Sequence, residues 1–70
     1  MRPTMRVTIN GNPTTLDAPQ TINELLQSLD LAPIRVAVEI NESIVSRKRF
    51  RETTLRDGDR IEIVTFVGGG

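Results

Sequence analysis

Apolar and polar residues alternate through Met5-Arg6-Val7-Thr8-Ile9-Asn10, the period-two pattern of a half-buried strand. Met5, Val7 and Ile9 are expected on the core side. Asn10-Gly11-Asn12-Pro13 reads as a turn, because Asn-Gly favours positive φ and proline cannot donate to a ladder. Thr14-Thr15-Leu16-Asp17 then returns as a short second strand and completes a hairpin. The period changes after Pro19. Ile22, Leu25, Leu26 and Leu29 recur at helical spacing and predict one stripe facing a sheet, with Asn23, Gln27 and Ser28 toward water. Thr21 followed by Glu24 is the spacing of a capping box, and Pro33 places the helix end near Asp30 or Leu31. Alternation resumes at Arg35-Val36-Ala37-Val38-Glu39-Ile40, with Val36, Val38 and Ile40 inward. Asn41-Glu42 is a tight turn into a short strand, Ser43-Ile44-Val45-Ser46. An irregular or briefly helical stretch follows over 47–52, anchored by Phe50. Thr53-Thr54-Leu55 is extended, Arg56-Asp57-Gly58-Asp59 turns, and a last strand starts at Arg60 with Ile61 and Ile63 inward.

This order predicts an α+β domain, a mixed sheet of four to five strands with one main helix packed on one face. If the first and last strands are central neighbours they run parallel, as in a β-grasp. The last strand also carries Val64 and Phe66 on the face opposite Ile61 and Ile63. With Ala37 they predict an apolar patch on the side of the sheet that has no layer of its own to cover it.

Composition narrows the chemistry. Seventy residues make one small domain, within the range that folds without staples. The chain has no Cys, His, Tyr or Trp, so thiolate chemistry, a disulfide framework and the usual general base are absent. Carboxylates, Lys48, arginines and hydroxyls remain, an unusual set for an enzyme acting alone. Nine basic and nine acidic side chains cancel, which gives no overall field toward nucleic acid or an anionic membrane. No apolar run approaches spanning length, and Met1-Arg2-Pro3-Thr4 leads into a strand rather than a signal-peptide core. A cytoplasmic domain, monomeric alone, is expected. Arg47, Lys48, Arg49 and Arg51 form a basic cluster, read as a solvated face or as steering toward an acidic partner. Asp57 and Asp59 beside Gly58 are read as turn chemistry rather than a cation site.

The end of the chain remains. Phe66-Val67-Gly68-Gly69-Gly70 closes the last strand with glycines that have nothing to bury. The expected division is a folded domain over 1–67 and a flexible tail over 68–70. Extended, three glycines reach about 10 Å, and a thread without Cβ atoms can enter a narrow channel. A frayed end and a reactive terminal carboxylate are both open from the tail alone.

A small helix-on-sheet domain ending in bare glycines resembles the ubiquitin-like sulfur carriers, and within them the ThiS family. The resemblance rests on Ile9-Asn10-Gly11, Thr21-Ile22-Asn23-Glu24-Leu25-Leu26, the run Val38-Glu39-Ile40-Asn41-Glu42-Ser43-Ile44-Val45, and Leu55-Arg56-Asp57-Gly58-Asp59-Arg60-Ile61-Glu62-Ile63-Val64 before the glycines. Ser46-Arg47 departs from it, since many relatives carry a proline after the Ile-Val pair. The resemblance implies a carrier acted on by other proteins rather than an enzyme, with no bound cofactor. A ThiF-type adenylating enzyme would use ATP to convert the Gly70 carboxylate to an acyl-adenylate. Sulfur, drawn from cysteine through a cysteine desulfurase persulfide, would replace AMP and leave a thiocarboxylate for a ThiG-type thiazole synthase in thiamine biosynthesis. Gly70 would carry the sulfur, Gly68 and Gly69 would thread the partner's channel, and Val64, Phe66, Val67 and Ala37 would seat the domain. A molybdopterin-type sulfur carrier, conjugation to lysines, or a non-covalent β-grasp interaction module are the alternatives the residues leave open.

Overall fold

The computed structural model describes residues 4–66. Five strands form one mixed sheet: β1 (Met5–Ile9), β2 (Asn12–Leu16), β3 (Val36–Ile40), β4 (Ser43–Val45) and β5 (Arg60–Thr65), in the order β2-β1-β5-β3-β4. The two central strands, β1 and β5, run parallel, and the remaining pairs are antiparallel. One helix, α1 (Ile22–Ser28), covers one face. This is the β-grasp arrangement that the alternation pattern points to.

The turns explain how β5 is held in the middle. Asn10 and Gly11 both have positive φ, 49° and 83°, the backbone that matches a two-residue hairpin to strand twist. Asn41 and Glu42 repeat it at 52° and 71° without any glycine. Both asparagines then use their side chains on β5. Where β1 turns away, the Asn10 carboxamide accepts from the Ile63 N–H at 2.7 Å and donates to the Ile63 carbonyl at 3.1 Å. That mimics a further residue of the parallel ladder. At the other end, Asn41 accepts from the Arg60 N–H at 2.9 Å, and its own N–H donates to the Arg60 carbonyl at 2.8 Å. Strand β2 starts two residues earlier than its apolar pattern suggests. Pro13 lies inside it, opposite Thr8, which an edge strand tolerates because its outer N–H row has no partner to lose.

Helix α1 starts as the Thr21–Glu24 spacing requires. The Thr21 hydroxyl accepts from the Glu24 N–H at 3.1 Å, and the Glu24 carboxylate accepts from the Thr21 N–H at 2.8 Å. The other two first-turn N–H groups, of Ile22 and Asn23, donate to the Thr53 and Phe50 carbonyls. Every orphan donor of that end is therefore used within the fold. The other end differs from expectation. The helix stops at Ser28 with Leu29 as its cap, and Leu29 is 43% exposed instead of facing the sheet. Asp30 takes φ 60°, its N–H donates to the Gln27 carbonyl, and the Leu31 N–H donates to the Leu26 carbonyl. These two bonds make a Schellman cap, and Leu31, not Leu29, packs against the core. A single turn of 3-10 helix at Pro33–Arg35, not foreseen in the pattern, leads into β3.

Ile22, Leu25 and Leu26 from the helix meet Met5, Val7, Leu16, Val36, Val38, Ile61 and Ile63 from the sheet. Phe50 and Leu55 seal the side, both nearly fully buried. Phe50 follows a 3-10 turn at Arg47–Arg49, so the irregular stretch over 47–52 is anchored as expected.

Candidate functional site

The face of the sheet away from α1 is open. Alternation along β3 and β5 puts Val36, Val38, Ile61 and Ile63 in the core and leaves Ala37, Val64 and Phe66 outside. Ala37 and Val64 are direct cross-strand partners, so the two expected patch residues lie side by side. Val64 is 60% and Phe66 52% exposed. The Phe66 N–H donates to the Arg35 carbonyl at 2.8 Å, which holds the chain against the start of β3 one residue past the end of β5. Three of the expected seating residues are thus brought together. Val67, Gly68, Gly69 and Gly70 lie outside the described residues.

Ile44, not singled out in the sequence, extends the patch. It is 78% exposed and pairs with Glu39. The signal was present in the alternation: with Val45 packed against the core, Ile44 has to face the other way. A depression beside Phe66 is lined by Ala37, Ile44, Phe50, Arg47 and Lys48 among others. The Arg47 Nε donates to the Pro33 carbonyl at 3.1 Å, so the basic stretch is tied to the turn that precedes β3, near where the chain leaves the sheet.

The acidic turn is structural, as its sequence suggests. Asp57 accepts the Arg6 N–H at 2.8 Å. Asp59 is buried, accepting the Arg56 N–H at 2.8 Å on one oxygen and the Asn41 side-chain N–H at 3.0 Å on the other. Gly58 provides the φ of 87° between them. Among the described residues no group of His, Cys, Asp or Glu could hold a metal ion, and no helix is long and apolar enough to cross a membrane. Among the described residues, the open face is apolar around Ala37, Val64 and Ile44 and extends to Phe66, the last of them.

Residues 7–70 match the family model described as the ThiS family. The chain belongs to the ThiS family. The solved ThiS of Geobacter metallireducens, a thiamine biosynthesis protein, superposes with a TM-score of 0.80 at 40% identity, over 94% of this chain and 100% of that one. The sulfur carrier protein ThiS of Bacillus subtilis (strain 168) is 50% identical over 50 residues, 71% of this chain and 76% of its own. A thiazole synthase of Magnetococcus marinus is 42% identical over 66 residues, 94% of this chain but only 20% of that protein. This ThiS-family chain therefore spans about a fifth of the length of that synthase. As a ThiS-family member it has the β-grasp expected from its sequence, with an open β3–β5 face that extends to Phe66.

Proposed function

We propose that the chain is a sulfur carrier of thiamine biosynthesis, a protein co-substrate whose Gly70 main-chain carboxylate is the group that reacts. The observation that carries this reading is the reach of the family match through Gly70, so that the glycine end belongs to the family pattern. A carboxylate resists attack because its charge and resonance oppose it. A ThiF-type adenylating enzyme would transfer AMP from ATP to the carboxylate, releasing pyrophosphate. A persulfide sulfur then attacks the carbonyl carbon and expels AMP, and a thiol cleaves the acyl disulfide to free the thiocarboxylate. The chain's own residues supply presentation alone. Gly68 and Gly69 pass a channel too narrow for side chains, while Ala37, Val64, Phe66 and Val67 seat the domain outside it. The missing His and Cys are no handicap, because the acid–base groups and the thiols belong to the partners.

The thiocarboxylate is a soft nucleophile suited to building a thiazole ring. The similarity to part of a protein named thiazole synthase supports a ThiG-type synthase as its recipient. Intact mass after incubation with the adenylating enzyme, ATP, a desulfurase and cysteine tests the reading. A shift matching replacement of one oxygen by sulfur is expected, absent on deletion of Gly70, with thermal unfolding unchanged by the deletion. No shift in the intact protein, with the enzymes active on a known carrier, would refute it.

A further inference from the structure

The chain holds four asparagines, and the residue after each decides its chemistry. An asparagine carboxamide is open to attack by the backbone nitrogen of the next residue. That nitrogen gives up its proton and bonds to Cγ, and ammonia leaves. Water then opens the resulting succinimide ring to aspartate or isoaspartate. The step needs an N–H on the following residue and little bulk beside it. Asn12 precedes Pro13, which has no N–H. Asn23 precedes Glu24, whose N–H is bound to the Thr21 hydroxyl at the helix start. Asn41 precedes Glu42, whose side chain crowds the approach. Asn10 alone precedes a glycine, in an exposed turn. Nothing lies within 4 Å of the place a Gly11 Cβ would occupy.

The fold holds this same side chain on β5. Asn10 Oδ1 accepts from the Ile63 N–H at 2.7 Å, and Nδ2 donates to the Ile63 carbonyl at 3.1 Å. The two bonds fix the plane of the carboxamide, so its Cγ turns to the Gly11 nitrogen only when both break. We propose that Asn10 is a modification site gated by the fold: it is deamidated in molecules whose β1–β2 hairpin has opened, and the product cannot rebuild the clamp on β5. The hairpin is suited to open before the rest, since β2 is an edge strand and β1 pairs with β5 only through Thr8–Arg60 and Ile9–Ile61. Such sub-global openings cost less than complete unfolding. Aspartate puts an oxygen where Nδ2 was, so an acceptor faces the Ile63 carbonyl and that carbonyl loses its donor. Isoaspartate runs the main chain through the former side chain and displaces the clamp altogether. Either product adds a negative charge to a chain whose formal net charge is zero. Closing does not erase the change, and the loss falls on the strand that runs out to Phe66.

Ageing the unaltered protein at mildly alkaline pH, folded and in denaturing guanidinium chloride, tests this without any variant. Intact mass reads replacement of an amide NH2 by OH, and fragment sequencing locates it. The change is expected at Asn10, about tenfold or more slower in the folded protein than in the unfolded chain. The aged species, separated by ion exchange on its added charge, is expected to melt about 4 °C or more below the unaltered protein. Asn10→Asp made directly should show the same loss by calorimetry. Equal rates in the folded and unfolded chains would overturn the gating. A change located first at Asn23 or Asn41 would overturn the site, and an aged species with an unaltered Tm would show that the clamp survives.

Discussion

Leu26 and Leu29 occupy the same apolar stripe in sequence but different environments in the fold, and replacing each by alanine separates them. Leu26 is 0% exposed and is the helix residue whose carbonyl receives the Leu31 N–H of the cap. Truncating a buried leucine removes its transfer free energy and leaves a cavity, at a cost of about 2–5 kcal/mol. The sheet is backed by a single helix of seven residues, so no second layer can collapse into the space, and a loss of about 3 kcal/mol or more is expected. A chain of 70 residues has a stability of about 4–10 kcal/mol. Leu26→Ala therefore removes a large part of it and lowers Tm by roughly 12–24 °C. Leu29, at the cap and 43% exposed, should lose less than about 1 kcal/mol. Urea unfolding followed by far-ultraviolet circular dichroism measures both, since a chain without Trp or Tyr has no useful fluorescence. Equal m-values would show that the unfolded state is unaltered. If Leu29→Ala costs as much as Leu26→Ala, the helix runs a further turn and its cap is not where the Asp30 backbone puts it.

Two further substitutions test the turns. Asp30 holds φ 60° at the helix C-terminus. Asp30→Gly relieves the left-handed strain of about 1–2 kcal/mol against about 0.4–1 kcal/mol of added unfolded-state freedom, so a Tm rise of a few degrees by calorimetry is expected; a fall would refute the Schellman cap. Asp59→Ala leaves the buried Arg56 N–H and the Asn41 side chain without their acceptor. It should cost about 1–3 kcal/mol in urea unfolding, with no change in stability on adding calcium; calcium-dependent stability in the unaltered protein would revive a cation site.

What could be read before the fold was known came from local physics. Period-two alternation located β1, β3 and β5 and assigned their inward residues, because side chains on a strand have two sides to choose from. The Thr21–Glu24 spacing marked the helix start, because a capping box closes over four consecutive residues. The same alternation put Ala37, Val64 and Phe66 on the face away from the helix, which the fold leaves uncovered.

The misses share a cause, which is that they depend on partners distant in sequence. Leu29 continues the helical period, yet the helix ends because the Asp30 backbone turns left-handed and gives the core position to Leu31. Pro13 looks like a breaker, yet it fits because β2 is an edge strand, which depends on the placement of the whole sheet. Ile44 joins the open face because β4 pairs with β3 and not elsewhere.

Local pattern therefore located the strands, the helix start and the hairpin turns, and showed that the glycines follow the last strand. Tertiary structure alone decided the strand order that places β5 between β1 and β3. It also used Asn10 and Asn41 as clamps on β5, and it set Glu39 against Glu62 beside the apolar pair. Sequence alternation assigns a side chain to a face, but only cross-strand register assigns it a neighbour. On the open face, the neighbours are what make the pattern of charged and apolar residues.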